Sequence, residues 1–399
     1  MVARLLSRAV CVGAVLGSAA ALGVAVVPPP AQAAGWSVRS AGLAAAAAGQ
    51  PGWRIVRRIG PATSTTSLDA VTATGPADAW AVGGSCGGCT VQRLLVERWN
   101  GTAWRQARVP SAIATDVSAA AISARSARNV WIIGGSQAAD APVAVRFNGS
   151  RWTSSRLPSW VVRLDRAGET LEVPAAFGRS DVWNFSLASI SNPAVAARFD
   201  GHSWHRVFLP GRPDQVSAPA ANDIWAVGPS RKTMNSAHPV NFAMHWNGHS
   251  WQALRMPAVR PLTSSPLAVL ALGSRNVWVM MRTGTVSHLT GLLLHWNGRS
   301  WQRVKVPSTG VSLGGTEFGR PLVPDGHGGF WFQQNGLKAP NPLFMYHYSG
   351  GKFTRQRIGS GLNMDGFAWI PRTRSVWAVG RGVNAQDTAL QAIVAKDGR

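Results

Sequence analysis

The chain is 399 residues long, carries 40 Lys and Arg against 17 Asp and Glu, and has a formal net charge of +23. That length excludes one small domain but suits a repeat array. The basic excess either attracts anionic partners, through counterion release and long-range steering, or serves solubility alone.

The N-terminus reads as a secretory signal peptide. Arg4 and Arg8 precede an apolar run from Ala9 to Val27, and Ala31-Gln32-Ala33 follows a Pro28-Pro29-Pro30 break. Cleavage after Ala33 assigns residues 1–33 to the signal, lowers the charge from +23 to +21, and sends the mature chain out of the cell or into its envelope. No later stretch is long and apolar enough to span a bilayer, so no membrane span is expected after cleavage. Residues 34–50 read as a flexible Ala-rich lead. The mature chain keeps two cysteines, as Cys86-Gly87-Gly88-Cys89. Outside the cell this spacing favours a local disulfide between Cys86 and Cys89, since a zinc site would need two further ligands.

From residue 51 onward the chain repeats. The hexapeptide Trp99-Asn100-Gly101-Thr102-Ala103-Trp104 recurs at 147–152, 199–204, 246–251 and 296–301, with a worn copy at 348–353. An Asn-Gly or Asp-Gly pair between aromatics suits a type I′ hairpin turn with an aromatic cross-strand pair. Four short segments surround each copy. The first is apolar and small, as in Leu68 to Thr74. The second starts with Asp or Asn two places before a Trp (Asp78/Trp80, Asn129/Trp131, Asp181/Trp183, Asp223/Trp225, Asn276/Trp278). The third ends at the hexapeptide, and the fourth runs from it to a Pro. Sixteen of the nineteen Trp fall at these repeat positions and are scaffold. Equivalent Trp residues recur about every fifty positions. Four-stranded units at that period predict a β-propeller.

The ends fix the blade count. The last unit supplies three strands, near Met364–Ile370, Val376–Gly380 and Leu390–Ala395. A matching orphan strand lies at residues 52–59. The prediction is an all-β, seven-bladed propeller over 51–399, made of four-stranded antiparallel blades. The N-terminal strand completes the last blade, which leaves no open sheet edge. A closed ring makes a monomer the default.

With a Gly pair after the second strand (Gly83-Gly84, Gly134-Gly135) and an aromatic–turn–Trp element ending in Pro, the chain resembles the secreted bacterial kelch-like, galactose-oxidase-like seven-bladed propellers. That resemblance implies either an enzyme or a pure binding module. Copper oxidase chemistry of that group requires Tyr and His ligands with a Tyr–Cys link. This chain offers only Tyr346 and Tyr348, in one strand, and both mature cysteines lie in the Cys86–Cys89 loop. No cofactor is expected.

Candidate site residues fall on the loops between strands two and three and between blades. Trp160, beside Arg163 and Arg166, either stacks a sugar ring or base or folds over a blade edge. Arg231, Lys232 and Arg320 either meet an anion or are solvated. Glu169, Glu172 and Glu317 are the candidate acids of a carbohydrate-active hydrolase or lyase, which would need two carboxylates at a defined separation. On the opposite face Arg98, Arg146, Arg198, His245, His295 and His347 occupy equivalent places, as an anion-binding girdle or as side chains tucked between blades. A tri-histidine metal site across successive blades is disfavoured by the spacing of packed sheets, about 10 Å. The leading functional expectation is a non-enzymatic binding module for an anionic polysaccharide or an acidic protein. Nucleic acid is disfavoured, because no basic segment is interleaved with aromatics beyond the repeat.

Overall fold

The computed structural model describes residues 52–397, apart from 61–63, 87–91, 167–170, 187–193, 231, 234–239, 260–264, 286–287, 307–310, 313–321, 337–341 and 384–389. Seven antiparallel sheets are formed. Blade 1 comprises Thr65–Gly75, Asp78–Cys86, Gln92–Trp99 and Trp104–Gln106. Blades 2 to 5 repeat that order up to Trp301–Lys305. In blade 6 two short strands, Val311–Ser312 and Val323–Pro324, share the innermost place. First strands of neighbouring blades pack together, so the first strand of each blade lies inside and the fourth on the circumference.

Ring closure is observed. Trp53–Ile59 pairs antiparallel with Leu390–Asp397, bringing Trp53 opposite Asp397 and Ile59 opposite Ala392. Trp53 is buried, with its ring edge-on to Trp331 at 5.5 Å and to Phe367 at 6.3 Å. The seam to blade 1 carries an ion pair from Arg57 to Glu97 at 3.4 Å, with Glu97 only 1% exposed. Burial pushes the Glu97 carboxyl up, and Arg57 works against that.

The hairpin turn differs from the type I′ expectation. Trp99 pairs directly with Trp104, leaving a four-residue connection. Only its glycine takes a positive φ, +98° at Gly101. The Asn100 Oδ1 accepts the backbone N–H of Thr102 at 3.0 Å and of Ala103 at 2.9 Å. Asn or Asp at this place therefore acts through its side chain, as an Asx turn, and need not be left-handed. Asp200 accepts the same two amides in blade 3, and these N–H groups, with His205, hold its carboxyl far below the usual range. The worn copy is the one that fits the expected type: Ser349 pairs with Lys352, and Gly350 and Gly351 both have positive φ, +57° and +78°.

The Gly pair has a split explanation. A Cβ on Gly134 would lie 2.1 Å from the Ser118 carbonyl oxygen, where the first strand bulges inward, whereas Gly135 has open space. A Cβ on Gly83 would repeat the first contact, 2.1 Å from the Ser67 carbonyl oxygen, so the first glycine is required by close strand approach. The second faces open space at Gly135 but the Gln92 side chain, at 1.9 Å, at Gly84.

Between blades 2 and 3, where an irregular link is expected, the chain forms a helix, Ser159–Arg166. Cys86 ends its strand buried, and Cys89 lies outside the described residues. Among the described residues, no helix is long and apolar enough to cross a membrane.

Ring closure sets the first expectation. Deleting residues 1–59 exposes the Leu390–Asp397 edge and should turn a single species into aggregate by size-exclusion chromatography. Trp53→Ala in the full chain should cost about 3–5 kcal/mol, read from denaturant midpoints.

Candidate functional site

The regular basic residues of the turn face lie against their own blades. In every blade the Trp of the second strand stands directly opposite a basic residue of the third: Arg98, Arg146, Arg198, His245, His295, His347 and Lys396. The Arg98 guanidinium lies 4.7 Å from the Trp80 ring centre and its Nε donates to Asp78 at 3.3 Å. Arg198 repeats this over Trp183, with Asp181 at 2.9 Å. The three histidines lie flat on their own blade's Trp, at 4.3 Å on Trp225, 4.0 Å on Trp278 and 4.3 Å on Trp331. His245 Nε2 donates to Asp223 and His295 Nε2 to the Asn276 Oδ1, each at 2.9 Å. Each of the three histidines is thus committed to its own ring and acceptor, whereas Arg98 and Arg198 give Nε to an acid with 39% and 37% of the side chain exposed, and Arg146 and Lys396 lie over their rings alone. No group of three or more His, Cys, Asp or Glu able to hold a metal exists among the described residues.

Blade 6 shows what the Asp/Asn–x–Trp spacing cannot reveal. Gly329 stands where the acid is expected, and Asp325, four residues earlier, takes over. Its carboxylate accepts His347 at 2.8 Å and the amides of His327 and Gly329 at 2.7 and 2.9 Å. Burial pushes the Asp325 carboxyl up, but these donors outweigh it and hold it below the usual range.

The loop candidates do not converge. Trp160 is half-buried against the cluster around Trp131, and the Arg206 guanidinium covers its ring at 4.7 Å. It packs over the blade edge, and the face it would offer to a sugar is taken. Arg163 is exposed, on the same helix as Arg166. Lys232 is exposed in a turn, while Arg231 and Arg320 lie outside the described residues. Glu172 belongs to the innermost strand of blade 3; Glu169 and Glu317 lie outside the described residues, so no carboxylate pair is described. First strands of blades 1 to 4 line a cavity of about 330 Å³ with Thr72, Ser123 and Arg125. There Ser123 Oγ accepts the Ala176 amide at 2.9 Å, a tie between innermost strands.

The circumference is different. The seven outermost strands contain twelve Lys and Arg and no Asp or Glu. All but Arg57 are exposed. The reason is local: alternate residues of an edge strand face solvent, and charge on an edge resists sheet-to-sheet association. Acids lie elsewhere, on the blade-face turns and in the interior, as with Asp78, Asp223, Asp325 and Glu97. Sequence reasoning noted the charge total but not this radial sorting, because strand order is needed to see which segment is outermost.

Fold and surface together define a closed seven-bladed β-propeller with a basic rim. The chain matches no protein-family model, and no curated protein matches it. Its structure is similar to YCF48 bound to D1 peptide, with a TM-score of 0.55 at 12% identity, over 88% of this chain and 96% of that one. It is also similar to the β-propeller domain of the Trilobed protease from Pyrococcus furiosus, with a TM-score of 0.54 at 9% identity, over 84% and 94%. Identities this low show a shared fold alone.

The acid of blade 6 gives a pH test. A carboxyl held below its ordinary value adds stability that is present above about pH 4 and lost as pH falls through the folded-state value. Asp325→Asn should lower the melting temperature by several degrees at pH 7 and by clearly less at pH 3. Trp160→Ala should cost about 1–3 kcal/mol of stability, read by denaturant unfolding, without weakening any anionic ligand.

Proposed function

We propose that this is a secreted, non-enzymatic propeller of the kelch-like group, which binds an anionic extracellular or cell-wall polymer along its rim. The observation that carries this reading is the twelve-to-zero excess of Lys and Arg over Asp and Glu in the outermost strands. Charge spread around a whole circumference suits a flexible polyanion, which can follow the rim and release counterions at each contact. A single acidic protein would instead meet one bounded patch. The apolar run and Ala31-Gln32-Ala33 support export, which would place the rim where such polymers occur.

The test is sedimentation of the full mature chain with purified Gram-positive cell walls, with and without their anionic polymers, across a salt series. Binding should require the polymers and fall steeply with salt. Changing Arg58, Arg255, Lys305 and Lys352 to Gln should flatten the salt dependence while leaving the fold intact. Binding that persists on stripped walls, or that ignores salt, would refute the reading.

A further inference from the structure

One gap in the repeat lies beside the rim. The third residue after the hexapeptide's final Trp is Val207 in blade 3, Leu254 in blade 4 and Val304 in blade 5, and each packs toward the neighbouring blade. In blade 1 it is Ala107. Blade 2 also has a small residue, Ser155, but there Trp160 packs against the cluster around Trp131. Beside Ala107, at the outer edge of the packed contact between blades 1 and 2, a cleft of about 260 Å³ remains. Phe147, half-buried, is its accessible aromatic surface, above the buried Trp80 and Trp152, and its edge carries Arg98, Arg105 and Arg108.

The charges at that edge are poorly balanced. Arg98 and Arg105 stand directly opposite on adjacent strands, an arrangement that is repulsive for like charges. Asp78 takes only the Arg98 Nε. Arg105 and Arg108 are exposed and have no ion-pair partner among the described residues. No carboxylate lines the cleft. An anion held between these guanidinium groups would relieve the repulsion through charge-assisted hydrogen bonds.

We infer that the cleft between blades 1 and 2 binds the C-terminal residue of a polypeptide, with an apolar side chain against Phe147 and its α-carboxylate on Arg105 and Arg108. The lining favours this over an acidic sugar. Sugar hydroxyls need acceptors as well as donors, and the uncharged polar side chains here are Asn100 and Gln106. The Asn100 Oδ1 is already occupied by three donors of its own turn. The mouth opens at the circumference, which admits a chain end whose preceding residues lead away into solvent. The site shares Arg105 with the rim, but it does not depend on the rim binding a polymer.

Fluorescence anisotropy of the full chain with fluorescein-Gly-Gly-Phe tests the inference, using the free acid and the C-terminal amide. The acid should bind at least about tenfold more tightly than the amide, as expected for a lost charge-assisted contact. Ala107→Leu should abolish binding of the acid, because blade 4 already holds Leu254 at this position and the fold accepts it. Its melting temperature and its wall binding should not fall. Arg108→Gln should weaken the acid and leave the amide unchanged. The Gln variants of Arg58, Arg255, Lys305 and Lys352 should retain the peptide while binding polymer more weakly and with a flatter salt dependence. Equal binding of acid and amide, no binding of either, full binding by Ala107→Leu, or better competition by glucuronate than by acetyl-phenylalanine would each overturn the assignment.

Discussion

The fold depends on one repeated contact, a tryptophan capped by a cation or an imidazole from the next strand. Register places the two side chains opposite one another in all seven blades. The Trp body fills the space toward the neighbouring blade, as Trp80 does against Phe147 at 5.4 Å and Trp183 against Trp246 at 5.2 Å. The cap covers the other side of the ring. Each such cation–π contact contributes on the order of 0.5–2 kcal/mol, and the buried aromatic area contributes more. The cap varies because the demand is for a flat, polar, donor-bearing group rather than for one residue type. Arg98, Arg198 and the three histidines donate to the acid or amide at the adjacent turn, and the imidazoles also stack.

That contact explains where acid and base end up. In four blades the cap is held by an acid near the turn, so several of the few acids are committed there, at Asp78, Asp181, Asp223 and Asp325. Once acids are fixed to the blade faces, the outermost strands are left to Arg and Lys. Structural demand at the turns and charge at the rim are thus two results of one distribution.

The repeat was legible because aromatic spacing is a one-dimensional signal. The seven blades and the pairing of residues 53–59 with the last unit follow from counting segments, and the structure shows both. Turn type was less legible. Asn-Gly can supply positive φ at both residues or an Asx turn with positive φ at glycine alone, and composition does not separate them. Asp325 was hidden because it reaches His347 from four residues before Gly329, through a turn geometry that spacing does not encode. Trp160 was ambiguous for a different reason: a Trp outside a repeat looks free in sequence, and only the cluster around Trp131 beneath it and Arg206 above it show that it is not.

In a chain built from equivalent units, a binding site is most visible as a departure from the consensus. Conserved positions in this ring perform packing, so their chemistry, however suggestive, is already used: three histidines in register serve three tryptophans. Ala107 is the opposite case. It is chemically bland, yet it stands where blades 3 to 5 place Val or Leu, and what it lacks leaves room for the blade 1 cleft beside three arginines. A missing side chain carries no motif. It becomes readable only by aligning the blades with one another, and it gains meaning only when the structure shows which charges surround the space it leaves.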